Sequence, residues 1–194
     1  MEFRKVFLCS VSMKIFVETD RLILREILPS DDEGMFELDS DPEVHRYLGG
    51  HPLKDIEESR KIIASVRQQY SDHGIGHWAM TLKTTGEFMG WTGLKFCTEL
   101  RNDHINYYDL GYRLIKRYWG KGYASESALV SLEYGFTTMN LPVIYGTADM
   151  NNLASRHVLE KSGLRHIETY NYEGTPSAWL RITKDEWLGN KPIV

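Results

Sequence analysis

Residues 117–136 read RYWGKGYASESALVSLEYGF, and they contain a glycine pair followed by a helical pattern. Two glycines, Gly120 and Gly122, stand directly before a proline-free segment whose apolar residues recur at helical spacing. The pattern predicts a helix that begins just after the glycines. The first amides of a helix have no acceptor within it and carry partial positive charge, so this helix start is a predicted anion site.

The residue types around the two glycines suit a bulky anion. Glycine has no side chain to keep a phosphate from the backbone amides, and Arg117 and Lys121 bring positive charge nearby. The stretch GKGYAS lacks the GxxxxGK[ST] spacing of a P-loop, and Ser125 stands where a dinucleotide-binding GxGxxG has its third glycine. Both patterns are therefore disfavoured, and a nucleotide-binding α/β module stays as an alternative.

The sequence before the glycines predicts a strand, helices and then three antiparallel strands. In TDRLILREI (19–27), alternation places leucines on one face of a strand and arginines on the other. Ser30 is predicted to cap a helix whose acids at 31–33 form a solvated first turn. A short helix is expected in DPEVHRYL (41–48) and an amphipathic helix over 55–70. Three strands follow in WAMTLK, EFMGWTGLKF and YYDLGYRLI.

The sequence after the glycines completes a mixed α/β domain. The helix at 123–136 is followed by a strand in PVIYGTA (142–148), and Asn152 is placed to cap a short helix that Gly163 ends. Two strands, in LRHIETYNY and SAWLRIT, close the chain. The expected order is one strand, two or three helices, three strands, a helix, a strand, a helix and two strands.

Composition indicates a globular protein with one domain. The 194 residues are 42% hydrophobic and 12% aromatic, enough for a sizeable core. Lys and Arg number 23 against 27 Asp and Glu, a net charge of -4, so we expect no nucleic-acid partner. No segment reaches the roughly 20 apolar residues that span a bilayer, so we expect no membrane partner.

The cysteines and the N-terminus bear on location and boundaries. Cys9 and Cys97 form no disulfide or metal spacing, which indicates a reducing compartment, and we predict a cytoplasmic protein. Residues 1–16 are treated as an N-terminal extension before a single domain at 17–194. The extension is an extra strand, a ragged terminus, or an over-long start with Met13 as the natural beginning, and these alternatives stay open.

Five motifs, in order along the chain, carry a resemblance to one enzyme superfamily. They are TDRLILRE (19–26), DLGYRLI (109–115), RYWGKG (117–122), NLAS (152–155) and VLEKSGL (158–164). Together they resemble the signatures of the GNAT N-acetyltransferases, in which Q/R-x-x-G-x-G/A binds the pyrophosphate of acetyl-CoA. The resemblance spans about residues 18–183.

The wording YWGKGYASE resembles one branch of that superfamily. This branch contains the RimJ and RimL ribosomal-protein N-terminal acetyltransferases, along with enzymes that act on small amines. Trp119 stands where many members have Arg, which leaves phosphate binding to the amides, Arg117 and Lys121.

The resemblance implies a fold and a coenzyme site. The fold is a twisted, mostly antiparallel sheet with helices on both faces. The parallel strands at 107–115 and 142–148 would splay apart, with the pantetheine arm of acetyl-CoA between them. No metal is implied. The residues that the resemblance assigns to acetyl-CoA are Leu114, Ile115, Arg117, Trp119, Gly120, Lys121, Gly122, Tyr123, Ala124 and Asn152.

Two residues are predicted to act in catalysis. An ammonium must lose a proton before it attacks, and Asp109, which matches the acid in the superfamily's E-[IL]-G-Y wording, is the candidate base. Placed among Tyr107, Tyr108 and Tyr112, its carboxyl is expected to have a raised pKa. Ser155 would give a proton to the departing thiolate or orient a water.

Each catalytic assignment has an open structural alternative. Asp109 is alternatively a carboxylate hydrogen-bonded within the sheet, and Ser155 a capping partner. Backbone amides near Leu114 and Ile115 are expected to stabilise the oxyanion that develops on the acetyl group.

The leading functional prediction is direct acetyl transfer to a primary amine through a ternary complex. The acceptor is a protein N-terminal α-amine or a small-molecule amine. Loops around 45–53, 73–78 and 97–106 are expected to shape its pocket. The alternative is a CoA-binding sensor or scaffold without turnover. The oligomeric state is open, with a homodimer as one option.

Other reactive side chains are given structural roles. His73 and His77 are four residues apart, yet Gly74 and Gly76 break the helix that a zinc pair would need. Cys97 is expected in the core, and Trp78 and Trp91 are expected to pack the sheet. Glu126 is expected to be structural or to face the loop.

Overall fold

The computed structural model describes residues 13–189, which form one eight-stranded sheet. The strands are β1 (Ile15–Glu18), β2 (Leu22–Glu26), β3 (Trp78–Leu82), β4 (Phe88–Cys97), β5 (Tyr107–Leu114), β6 (Val143–Asp149), β7 (Arg165–Tyr172) and β8 (Thr175–Thr183). Their order across the sheet is β1-β2-β3-β4-β5-β6-β8-β7. Within the described residues β5 and β6 are the one parallel pair. The predicted mixed α/β class with a mostly antiparallel sheet is confirmed.

Helices lie between the strands and at the end of the described chain. They are α1 (Asp32–Ser40), α2 (Pro42–His45), α3 (Ile56–His73), α4 (Tyr123–Thr137), α5 (Leu153–Lys161) and α6 (Lys184–Gly189). Asp55 caps α3 by accepting from the Glu58 amide, and Gly74 ends it in a left-handed conformation. None of these helices has both the length and the apolar character that crossing a bilayer requires.

Helices cover both faces of the sheet. Arg113 of β5 donates to Asp39 of α1 at 2.6 Å. Leu110, three residues earlier on the same strand, pairs with Leu94, whose Cδ1 lies against Gly135 of α4. Because side chains alternate along a strand, α1 and α4 pack on opposite faces.

Gly135 explains how closely α4 approaches the sheet. A Cβ at this position would lie 2.7 Å from both Ile144 Cδ1 and Leu94 Cδ1. Glycine weakens a helix interior by about 1 kcal/mol relative to alanine, but here it lets the helix settle on the central strands. Phe136 and Leu132 of the same helix are fully buried. The glycine loop at the start of α4 is thereby held at the end of β5.

The parallel pair opens into a gap. The register of β5 and β6 contains a single Cα pair, Asp109 with Tyr145. By contrast β4 and β5 are paired along eight positions, from Gly90–Leu114 to Cys97–Tyr107. Beyond Asp109 the two parallel strands therefore separate, as the resemblance implied.

The two ends of the domain differ from the predicted order. β1 begins at Ile15 and pairs with β2, so the sheet starts two residues before the boundary predicted at 17. Residues 1–12 of the predicted extension lie outside the described residues. The short helix α6 was not predicted, because its six residues are too few to show a periodic pattern.

The predicted cap and solvated acids before α1 were wrong in two details. Pro29–Asp31 forms a 3-10 turn and α1 begins at Asp32, so Ser30 is exposed and caps nothing. Asp31 is buried, and its two carboxylate oxygens each accept from Arg25 at 2.7 Å. Arg25 is itself buried rather than on a solvent face. A paired charge is buried far more readily than a lone one.

Candidate active site

A cavity of about 640 Å³ lies where β5 and β6 separate. It is lined by residues from α2, β5, the glycine loop, β6 and α5. Most of the residues predicted for the site line it together: Asp109, Leu114, Trp119, Gly120, Gly122, Tyr123, Ala124, Asn152 and Ser155. Ile115, Arg117 and Lys121, also predicted, are not among the lining residues.

The glycine loop presents free amides to this cavity. Gly120 and Gly122 have φ angles of +71° and +81°, a region that side-chain-bearing residues rarely adopt. The Trp119 amide donates to the Lys116 carbonyl at 3.1 Å. Within residues 13–189 no acceptor is found for the amides of residues 120–125. The loop therefore offers several unpaired donors at the positive end of α4.

The two cations predicted for phosphate binding lie differently from that expectation. Arg117 forms ion pairs with Glu37 and Glu87. Its guanidinium is thus held by carboxylates from α1 and from the turn between β3 and β4. The Lys121 ammonium is 5.8 Å from the Tyr118 ring centroid. Sequence reasoning missed these pairings because the acids are distant along the chain.

Backbone groups at the end of β5 face both sides of the strand. The Ile115 amide donates to Met89 on the β4 side at 2.9 Å. The neighbouring Leu114 carbonyl points the other way, where Trp119 Nε1 donates to it at 2.7 Å. Trp119 is 45% exposed and lines the cavity, so its indole occupies the backbone carbonyl of Leu114, a residue that the resemblance assigned to acetyl-CoA.

The carboxyl of Asp109 has a perturbed pKa. Burial raises its pKa to about 7, and nearby Arg101 and Lys95 only partly offset this rise. Its Oδ1 is buried and lacks a hydrogen-bond partner within the described residues. The predicted upward shift is confirmed in direction.

The aromatic surroundings of Asp109 differ from those predicted. Residues of odd number on β5 share its face, so Tyr108 and Tyr112 leave the strand on the opposite face, although Tyr112 lines the same cavity. Tyr107 does lie on the Asp109 face. It packs edge-on against Tyr145 and Trp179, with ring centroids 5.6 and 5.2 Å away. An aromatic wall therefore stands beside the carboxylate.

Ser155 lies in a hydrogen-bonded set that joins β5 to α5. The Ser155 amide donates to Asn152 Oδ1 at 3.1 Å, which caps α5 as predicted. The Tyr112 hydroxyl donates to the Ser155 carbonyl at 2.7 Å and lies 3.1 Å from Ser155 Oγ. With its oxygen used as the cap, Asn152 keeps its amide nitrogen for a ligand in the cavity.

One wall of the cavity comes from α2 and the turn after it. The lining residues there are Glu43, Val44, Arg46, Tyr47 and Leu48. The predicted pocket loop at 45–53 overlaps this set, whereas Glu43 and Val44 were missed. Arg113 lies beneath it, bound to buried Asp39, and His45 Nε2 is 3.6 Å from the same carboxylate. Burial lowers the pKa of His45, which favours its neutral form.

The remaining predicted side chains are not among the residues that line the cavity. His77 stacks on Trp91 with ring centroids 4.1 Å apart, and burial lowers its pKa to about 3. Trp78 is fully buried in the sheet. Cys97 is half-buried, and burial raises its pKa to about 11, so it is a thiol at neutral pH. Glu126 faces the loop and pairs with Arg21, which sequence reasoning did not assign to the site.

Comparison with known proteins identifies an acetyltransferase domain. Residues 21–165 match the family described as the Acetyltransferase (GNAT) domain. The chain is 32% identical over 164 residues to the uncharacterized N-acetyltransferase YoaA of Bacillus subtilis, covering 82% of this chain and 90% of that protein. It is 31% identical over 187 residues to the FsC-acetyl coenzyme A-N(2)-transacetylase of Aspergillus fumigatus, covering 89% of this chain and 77% of that protein.

A solved structure shares the fold. The ribosomal-protein-S5-alanine acetyltransferase of Vibrio fischeri matches with a TM-score of 0.70, covering 91% of this chain and 98% of that one. The two sequences are 17% identical, so this likeness concerns the fold alone.

Proposed function

The chain belongs to the GNAT acetyltransferase family, and on that premise we propose that it transfers acetyl directly to a primary amine held in the cavity between β5 and β6. The observation that carries the proposal is one cavity lined by Gly120 and residues 122–125, whose amides are free within the described residues, by Asp109 with its raised pKa, and by Ser155. The predicted acetyltransferase class is confirmed, and the acceptor is the part that is proposed.

The glycine loop fits the diphosphate of a coenzyme. The left-handed glycines keep side chains away from the amides, and a phosphate there would accept hydrogen bonds at the positive end of α4. Asn152 would donate to the arm from α5, and the gap beyond Asp109 gives the arm room. When bound, acetyl-CoA supplies an activated acetyl thioester.

Asp109 is the proposed base. A carboxylate with a pKa near 7 is partly ionised at neutral pH and strong enough to take a proton from an ammonium, directly or through a water. Its unpartnered oxygen is free to accept that proton. The aromatic wall of Tyr107 and Tyr145 excludes water beside it, which keeps the pKa raised.

Ser155 is the proposed proton donor to the thiolate, with Tyr112 behind it. The Tyr112 hydroxyl donates to the Ser155 carbonyl and lies 3.1 Å from Ser155 Oγ. When the Ser155 hydroxyl gives its proton to the thiolate, Tyr112 can turn its own O–H to the serine oxygen, which then regains a proton from the solvent. This contact fixes the serine hydroxyl on the β5 side of α5. No covalent intermediate on the protein is needed, since positioning two bound reactants lowers the barrier by several kcal/mol.

The acceptor is proposed to be an α-amine of a protein or a small primary amine. Glu43, Asp109 and Asp149 bring carboxylates to the cavity, which suits an amine that arrives as an ammonium. The YWGKGYASE wording supports placement in the RimJ and RimL branch. Cysteine usage supports a cytoplasmic location.

A panel of acceptors tests the function. Acetyl-CoA is mixed with ribosomal N-terminal peptides, amino acids, polyamines and aminoglycosides, and release of free CoA thiol is followed. We expect at least one amine to be acetylated, with mass spectrometry locating the acetyl group on nitrogen. Binding of acetyl-CoA without acetylation of any amine would favour the sensor instead. Thermal protection by ATP or NAD greater than that by CoA would favour a nucleotide-binding module.

A further inference from the structure

Arg21 joins the β1–β2 turn to the glycine loop across about a hundred residues of sequence. Its Nε donates to Glu126 Oε2 at 2.7 Å, and its Nη2 pairs with the same oxygen. Its Nη1 donates to the Lys121 carbonyl at 3.1 Å. The guanidinium also lies 4.4 Å from the centroid of the Tyr123 ring. The Arg21 side chain therefore contacts Lys121 in the loop and both Tyr123 and Glu126 in the first turn of α4.

The guanidinium is placed beside the left-handed glycine of the loop. Arg21 Nη2 is 3.6 Å from the position that a Cβ on Gly122 would occupy. The Arg21 side chain is 45% exposed. The contacts to Glu126 and Lys121 use three of the five N–H groups of a guanidinium, so each terminal nitrogen keeps one for a ligand.

The cations in the loop's own sequence are engaged with neighbouring side chains. Arg117 is paired with Glu37 and Glu87, and the Lys121 ammonium lies 5.8 Å from the Tyr118 ring centroid. Glu126 adds a carboxylate close to the amides, and this charge would repel a phosphate unless it were neutralised. Arg21 neutralises it, and Thr19 Oγ1 holds its other oxygen at 2.6 Å.

We propose that Arg21 is a coenzyme-binding residue, which fixes the glycine loop through Lys121 and Glu126 and donates its remaining N–H groups to the phosphate bound at Gly122. The inference rests on the proposed function, because the anion is taken to be the coenzyme diphosphate. A guanidinium fork suits this role, since it can hold a carboxylate and a phosphate at once, which an ammonium does less well.

The test measures CoA affinity by calorimetry for the wild type, Arg21→Met, Arg21→Lys and Arg60→Met. Arg60 is a matched control, an exposed arginine on α3 that pairs with Asp32 and Glu57 away from the cavity. Loss of hydrogen bonds to a charged group predicts that Arg21→Met weakens CoA binding by about tenfold or more. Arg21→Lys should lose less affinity for CoA than Arg21→Met does, and Arg60→Met should bind CoA as tightly as the wild type.

A second readout separates phosphate binding from a general loss of structure. The kcat/KM is measured with acetyl-CoA and with S-acetylpantetheine, which lacks the phosphates. Arg21→Met should lower the value for acetyl-CoA and leave that for S-acetylpantetheine unchanged. Equal losses with both donors, or wild-type CoA affinity in Arg21→Met, would overturn the inference while the proposed function stood. A wild type that binds no CoA would overturn both.

Discussion

The Tyr112 hydroxyl of β5 lies 3.1 Å from Ser155 Oγ and donates to the Ser155 carbonyl at 2.7 Å. This contact bridges β5 and α5 across the opening where the parallel strands separate. It places Tyr112, which lines the cavity, and Ser155, which was predicted to act in catalysis, in one hydrogen-bonded unit. The serine hydroxyl is therefore oriented by a group on the strand that also carries Asp109.

Tyr112→Phe tests whether this orientation matters for proton donation. We expect kcat to fall by roughly tenfold, because the serine hydroxyl loses one hydrogen-bond partner, while KM for acetyl-CoA changes little. Steady-state kinetics at saturating amine measure both. Tyr108→Phe is the matched control, since Tyr108 packs on Phe96 and does not line the cavity. Equal effects of the two substitutions would remove Tyr112 from the mechanism.

Asp109→Asn tests the base through the pH dependence of the rate. The wild-type kcat should rise through pH values near 7, where the carboxyl loses its proton. The variant should bind CoA normally, lose roughly a hundredfold in kcat and lack that rise. The kcat of the wild type and of Asp109→Asn is measured against pH with the same acceptor. If the variant kept the wild-type pH dependence, that dependence would come from ionisation of the acceptor and not of Asp109.

The same raised pKa predicts a stability effect of known sign. Burial lifts the pKa of Asp109 from an ordinary 3.8 to about 7, so between these values the folded protein holds a proton that the unfolded chain releases. The free energy of unfolding contributed by this group therefore falls as the pH rises through this window. Asp109→Asn should remove that fall. Urea denaturation of both proteins at pH 5 and pH 8 measures it, and an identical pH dependence would contradict the assignment.

Gly122→Glu tests the phosphate site at the loop. A carboxylate at φ +81° would both strain the backbone and repel the diphosphate, so CoA binding should be lost. Gly122→Asn is the control, because asparagine tolerates the left-handed region and adds no charge. In calorimetry, Gly122→Asn should show a modest loss of affinity for CoA, and Gly122→Glu should show no binding of CoA. Wild-type affinity in Gly122→Glu would show that the phosphates bind elsewhere.

Local sequence patterns predicted most of the helices and strands of the fold. The glycines, the helical spacing of α4 and the Asn152 cap are short-range features, and each lies where it was expected. β1 and α6 are short, so neither has enough residues for a clear period. The gap between β5 and β6 depends on how strands pair across the sheet. No local pattern predicts it, and its prediction came from the family resemblance.

The candidate site was less predictable, because its charged side chains pair with residues that are far away along the sequence. Arg117 was expected at the phosphate, yet its partners are Glu37, 80 residues away, and Glu87, 30 residues away. Arg21 was read only as the polar face of a strand. Asp109 was expected among three tyrosines, but alternation along β5 leaves it with Tyr107. Spacing in a sequence does not reveal such pairings.

Removing one partner of the buried ion pair between Arg25 and Asp31 is expected to destabilise the fold. Asp31→Ala leaves the Arg25 guanidinium buried without its carboxylate, which typically costs about 3 to 5 kcal/mol of unfolding free energy. Asp31 also accepts from the Leu28 amide at 2.7 Å, so the entrance to α1 loses a bond as well. Urea denaturation gives the change, with Glu33→Ala as an exposed control in the same turn. The double variant Arg25→Met with Asp31→Leu should recover much of the loss, because two apolar side chains leave no buried charge. If Asp31→Ala were no more destabilising than Glu33→Ala, the pair would contribute nothing to the fold.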